Sequence, residues 1–331
     1  MKRKLLALAC AAAMMMSLAS CGSAEPDPAP EQNATAPTDQ ALYTVGIVQL
    51  VPHVALDAAT EGFKDALKAA LPGQVEFTGG VGAGDAATCT PIVTDLVASN
   101  VDLIMANATP ALQAAAAATA DIPILGTSVT EYGVALDIDN FSGVVGSNIS
   151  GTSDLAPLDE QAAMVKEWFP DAKTVGLIYC SAEANSQYQV DEVKKFLEAD
   201  GLTCALYPFS DSNDLAAIAQ TAADNSDVIY VPTDNTVASN TGIIDNICRP
   251  AGVPVIAGEE GICAGCGVAT LSISYYDLGV ATGKMAAKIL TNEAKIEEMP
   301  IGYAETVTPK YNEAICSDLG ITVPDGYTAI G

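Results

Sequence analysis

From Tyr43 onward, short runs rich in β-branched residues alternate with stretches whose apolar positions recur at helical spacing, the pattern of an α/β fold with parallel sheets. Strands are predicted over residues 43–51, 75–80, 102–109 and 122–129. Each is followed by a polar or glycine-containing turn and then an amphipathic stretch such as LDAATEGFKDALKAAL (56–71). A less regular stretch runs from Glu131 to Asp154, after which the pattern restarts with predicted strands over 174–180, 204–209, 227–234 and 253–260. Two runs of the same order and spacing predict two similar lobes, each a three-layer α/β/α sandwich.

The chain before this region is patterned differently. Lys2, Arg3 and Lys4 precede a run from Leu5 to Leu18 that is apolar except for Ser17 and too short to span a bilayer comfortably. Residues 1–20 read as an export signal. Leu18-Ala19-Ser20-Cys21 resembles the lipobox of bacterial lipoproteins, which implies that Cys21 becomes the lipid-bearing N-terminus; an ordinary secretory signal with an incidental cysteine is the alternative. Residues 21–41, rich in proline, alanine and polar groups, read as a flexible tether reaching on the order of 25 Å.

Composition narrows the function. Half of the 331 residues are hydrophobic and 17% are charged, which excludes intrinsic disorder as the main state. Forty-one acidic residues face 14 basic ones, a net charge of −27, and removing the signal brings it to −30. Nucleic acid is thereby excluded as a partner, since phosphate binding needs a basic face. The only arginine beyond the signal is Arg249 and the only histidine is His53, which excludes multi-histidine metal sites and an arginine cluster for phosphate.

Ligands of open parallel sheets bind beyond the carboxyl ends of the strands, so two facing sheets would form a cleft lined by the loops that follow them. The first lobe offers His53, Asp57, Thr109, Ser128 and Thr130 there; the second offers Glu183, Asn185, Ser186, Asp234, Asn235 and Glu259. Carboxylates suit an ammonium group, with Asp234 the first choice and Glu183 or Glu259 the alternatives. The hydroxyls of Thr109, Ser128 and Thr130 suit a carboxylate. Asp, Asn, Ser and Glu directly after strands also serve as helix caps, so each has a capping role to weigh beside the binding one. Trp168, at the end of a predicted helix, reads as a packing residue, leaving Tyr132, Tyr188, Tyr275 and Tyr276 as the aromatic side chains nearest the cleft. No GxSxG elbow accompanies His53. Seven cysteines remain in the body, and Cys248, Cys263, Cys266 and Cys316 admit disulfides, a zinc site or free thiols.

Nine segments in order carry a family likeness: HVALD (53–57), ATP (108–110), IPIL (122–125), GTSD (151–154), EANS (183–186), SND (212–214), VPTDNT (231–236), GEE (258–260) and DLGVATGKMAAKIL (277–290). Together they resemble ABC-transporter substrate-binding lipoproteins of the tryptophan and aromatic amino-acid uptake group, over about Thr44 to Thr322. The resemblance implies a type I periplasmic-binding-protein fold, two lobes joined by three hinge crossovers. It places the first crossover at Gly151, Thr152, Ser153 and Asp154, the second near Ser272–Ser274 and the third near Ile301–Ala304. Lobe 1 would then hold 42–151 plus 275–301, and lobe 2 would hold 152–274 plus 302–331. It also implies a monomer without cofactor or metal, lipid-anchored on the outer face of the cell membrane, that hands an amino acid to an ABC permease and its ATPase. The alternatives are a sensor module, a receptor for a nucleoside or sugar, and a thiol redox protein using Cys263 and Cys266.

Overall fold

The computed structural model describes residues 42–330. The expected signal, Cys21 and the tether lie outside them. The first sheet is built from β1 (Tyr43–Gln49), β2 (Val75–Val81), β3 (Leu103–Asn107), β4 (Ile124–Val129) and β5 (Ile149–Ser153), interleaved with α1 (Val54–Ala70), α2 (Ala86–Ala98), α3 (Thr109–Ala118) and the short α4 (Tyr132–Ala135). The strands are parallel in the order β2-β1-β3-β4-β5.

The chain continues through α5 (Leu158–Trp168), β6 (Thr174–Cys180), α6 (Ala184–Ala199), β7 (Thr203–Phe209), α7 (Leu215–Asn225), β8 (Val228–Val231), α8 (Asn235–Ala238), α9 (Thr241–Ala251), β9 (Val255–Ala257), α10 (Glu260–Cys266) and β10 (Ala269–Ser272). The second sheet repeats the winding as β7-β6-β8-β9-β10, the doubly wound order whose switch point opens a ligand crevice. Then α11 (Tyr275–Leu290) returns to the first lobe and β11 (Gly302–Tyr303) joins β5. Next, β12 (Thr308–Tyr311) lies antiparallel to β10, and α12 (Glu313–Leu319) and β13 (Thr328–Ala329) complete the second lobe.

All eight predicted strands are present. Those predicted to end at 234 and 260 stop at Val231 and Ala257, because the polar residues beyond leave the sheet and cap the next helices. Residues 152–153 and 302–303, expected in lobe 2, pair with each other on the edge of the first sheet. The chain therefore leaves lobe 1 after Ser153 and again after Tyr303, about two residues later than expected each time.

Strand side chains alternate between the two faces of each sheet, and each face has its own core. On the first sheet Val45, Leu103, Met105 and Leu125 pack with Phe63 of α1 and Ala286 and Leu290 of α11. Val48, Ile104 and Ile124 pack on the other face with Leu96 of α2 and Leu112 of α3. On the second sheet Leu177, Tyr230 and Ile256 meet α5, α6 and α12, while Ile178, Ile229 and Val255 meet α7, α9 and α10. Trp168 packs as expected, edge-on to Tyr327 at 4.9 Å between centroids. Among the described residues, no helix is long and apolar enough to cross a membrane.

The helices α1 and α11 lie backbone to backbone. A Cβ on Gly279 would sit 2.0 Å from the Ala59 carbonyl oxygen, and one on Gly62 would sit 2.1 Å from that of Tyr276. Gly279→Ala should force the helices apart, at about 1–3 kcal/mol. The expected result is a lower urea midpoint with an unchanged slope; an unchanged midpoint would mean the seam yields freely.

Candidate functional site

The residues that follow β1, β5, β8 and β9 line one narrow cavity between the lobes: His53 and Leu56, Asp154, Thr233 to Asn235 with Ala238, and Glu259, with Tyr275 of α11 completing the wall. His53 Nε2 lies 3.4 Å from Asn235 Oδ1 and so touches across the cleft. The space left is about 10 Å³, room for about one water molecule, so anything larger enters only as the lobes part. A larger cavity of about 430 Å³ lies at the far end of lobe 2, against Trp168, Val228 and Pro254 at the amino ends of its strands, where no cleft residue reaches.

The lobe 2 wall is organised by carboxylates acting as caps. Asp234 Oδ1 accepts from Val237 N at 2.9 Å at the start of α8, and its Oδ2 accepts from Cys180 N at 2.6 Å at the end of β6. Buried Glu183 sits behind it. Its Oε1 accepts from Thr236 N and Thr236 Oγ1 at 2.9 and 2.8 Å, and its Oε2 from Asn235 N and Asn235 Nδ2 at 3.1 and 2.6 Å. Glu259 accepts from Gly261 N and Ile262 N, at 2.6 and 2.5 Å, at the start of α10. Burial pushes both Asp234 and Glu259 up to about 7; the neighbouring Glu183 charge adds to this at Asp234, and the Asp154 and Glu260 charges add to it at Glu259. Asn185 and Ser186 are buried beneath this wall, Asn185 Nδ2 donating to Thr233 O at 3.0 Å.

Lobe 1 also carries hydroxyls at and beyond the carboxyl ends of β3 and β4, outside the lining of the narrow cavity. Thr109 Oγ1 and Ser128 Oγ are buried and have no partner within the protein. Both lie at strained backbone: Ser128 has φ 54° and Ala108, just before Thr109, has φ 89°. Thr130 is buried beside them and its carbonyl accepts from Ser153 Oγ at 2.7 Å. Asp57 is exposed, and its Oδ1 accepts from Gln49 Nε2 at 2.7 Å. Burial lowers the His53 pKa, against the raising effects of Asn235, Asp57 and Glu183.

Of the residues expected at the first crossover, Gly151, Thr152 and Ser153 belong to β5, where Thr152 Oγ1 lies 2.8 Å from Thr282 Oγ1 of α11. Asp154 follows the strand and reaches the cavity. Its Oδ2 accepts from Tyr275 Oη at 2.9 Å. Burial raises its carboxyl, with the Tyr275 and Thr130 hydroxyls pulling it down. The other expected aromatics lie elsewhere. Tyr132 is buried, donating to Thr152 O, while Tyr276 is 40% exposed and bonds Asp65; Tyr188 lies on α6 beside Val134 of lobe 1. Sequence reasoning missed Leu56 and Ala238 on the wall. Each lies three residues beyond an expected contact, His53 and Asn235, which is helical same-face spacing.

Among the described residues the seven cysteines are free, and no group of three His, Cys, Asp or Glu side chains is placed to hold a metal. Cys263 and Cys266 lie inside α10, where burial pushes both thiols well above their ordinary value, a setting that suppresses thiolate chemistry.

Residues 44–329 match the family described as ABC transporter substrate binding protein. The chain belongs to that family. It is 32% identical, over 308 residues covering 90% of this chain and 87% of the relative, to a tyrosine-binding protein of Clostridioides difficile (strain R20291). It superposes with a TM-score of 0.83 and 31% identity on the crystal structure of an ABC domain in complex with L-Trp from Streptococcus pneumonia, covering 88% of this chain and all of that one. Against the ligand-free, open structure of a substrate-binding protein with adhesive properties from Clostridium difficile, the TM-score is 0.67 at 35% identity, covering 87% of this chain and 99% of that one. The better fit to the complex despite the lower identity accords with lobes drawn together across His53 and Asn235. The fold of this family member is of the periplasmic-binding-protein type I.

Proposed function

We propose that this family member is the extracytoplasmic receptor of an ABC importer, closing on an aromatic amino acid and delivering it to the permease, with its body tethered to the membrane through a lipid on Cys21. The observation that carries the reading is the chemistry of the cleft. Its described lining holds three carboxyl groups and neither lysine nor arginine, while the unpartnered hydroxyls of Thr109 and Ser128 and the start of α3 stand at the carboxyl ends of the central strands β3 and β4. That set receives an ammonium on one side and a carboxylate on the other. A relative named for tyrosine binding and a neighbour solved with L-Trp, both above 30% identity across most of the chain, support an aromatic side chain.

Protein stripped of carried-over ligand by unfolding and refolding tests this reading. A ligand that binds only the folded state and is present at 100 times its Kd adds about 2.7 kcal/mol. A melting shift of several degrees with tryptophan, tyrosine or phenylalanine is expected. A response confined to nucleosides or sugars would leave the receptor fold with a different cargo.

A further inference from the structure

We infer that Asp154, held in place by Tyr275, is the ammonium anchor of this cleft, so that the ligand's positive charge is read at the crossovers about which the lobes hinge. The inference rests on the amino-acid reading above and names the atom that serves it. It follows from where the carboxylate lone pairs go. Asp234, Glu183 and Glu259 each use both oxygens on protein donors, most of them backbone N–H groups of the helices they cap. Asp154 is 3% exposed and lies on the cavity wall; one oxygen accepts from Tyr275, and the other, Oδ1, accepts no hydrogen bond, the Thr130 hydroxyl being near enough to favour its charge without bonding it.

A buried carboxylate oxygen without a donor is costly, and a cation entering the cleft offsets that cost. The titratable groups that face Asp154 are the hydroxyls of Tyr275 and Tyr132, the carboxyls of Glu259 and Asp234 across the cavity, and His53; none is a lysine or arginine. Tyr275 is a positioning residue. It opens α11 immediately after the second passage between lobes, whereas Asp154 opens the first passage, and their hydrogen bond joins the two. With Oδ2 fixed by that bond, Oδ1 is the oxygen left for the ligand.

Calorimetric titration of refolded protein with tryptophan, tyrosine, phenylalanine, tryptamine and tyramine, and with the N-acetyl amino acids, tests the assignment. Asp154→Asn keeps an acceptor for Tyr275 and removes the charge. It should weaken binding of the free amino acids by about 30-fold or more, which is about 2 kcal/mol, while the N-acetyl forms bind wild type no better than the variant. Tyr275→Phe should weaken binding less and also move the acid limb of the affinity profile to higher pH, because the lost hydroxyl had favoured the ionised carboxylate. A merely structural tyrosine would leave that limb where it was. If wild type binds the amino acids and Asp154→Asn stays within threefold, the anchor lies elsewhere and the receptor reading stands. Binding of the amines alone, lost in Asp154→Asn, would keep the anchor and overturn the amino-acid reading. No binding of any ammonium compound would overturn both.

Discussion

Replacing Glu183 with alanine is expected to destabilise the protein by about 3–5 kcal/mol. The carboxylate takes four donors from Asn235 and Thr236, and two of them are backbone N–H groups at the start of α8 that have no acceptor once it is gone. Each buried donor left unsatisfied costs about 1–3 kcal/mol. For a body of this size, the melting temperature should fall by roughly 6–10 °C. Glu183→Gln, which keeps a carbonyl oxygen, should recover part of the loss. If the alanine variant melts like wild type and fails only to bind ligand, Glu183 is a contact residue and its place in the scaffold has been misjudged.

Acidification should stabilise the ligand-free protein. Burial raises Asp234 from 3.8 and Glu259 from 4.5, each to about 7, among carboxylates that add to the effect and with Lys310 committed to Glu260 at 2.7 Å. Between those limits the folded protein holds two protons that the unfolded chain has released, so stability falls as pH rises. The contribution is complete below about pH 4 and is lost as pH passes about 7. Going from pH 8 to pH 5.5 should therefore add stability, on the order of 1–3 kcal/mol in all, and raise the melting temperature by several degrees. A flat or falling melting curve over that range would show that both carboxyls are ionised in the folded protein at neutral pH.

Strands buried on both faces are legible because their side chains form continuous apolar runs, and all eight predicted strands are of this kind or paired beside one. β5 escaped because Ile149-Ser150-Gly151-Thr152-Ser153 is small and polar, and β10 escaped because Ala269-Thr270-Leu271-Ser272 is short and half polar, although both are buried. In β5 those properties suit an edge where Tyr132 packs against Gly151 and Thr282 meets Thr152. The cleft was legible to the level of loops: His53, Asp234, Asn235 and Glu259 all line it. What a sequence does not display is how lone pairs are used. A carboxylate after a strand looks the same whether it waits for a ligand or caps its own helix. Asp154 and Asp234 both line the cavity, and only their lone pairs tell them apart: Asp234 spends both oxygens on backbone N–H groups, whereas Asp154 at the first crossover spends one on Tyr275.

Lobe 1 is discontinuous in the chain, and this has a kinetic cost. The seam that α1 makes with α11, and the edge that β5 shares with β11, both wait for residues that follow the last parallel strand of the second sheet. During synthesis or refolding, lobe 2 can assemble most of its sheet from an unbroken stretch, while the face of lobe 1 bearing Val45, Phe63, Leu67 and Met105 stays uncovered until nearly the whole chain is present. Long-range closure of this kind slows folding and leaves a sticky intermediate. The unfinished first lobe is thus the part on which chaperones and proteases would act.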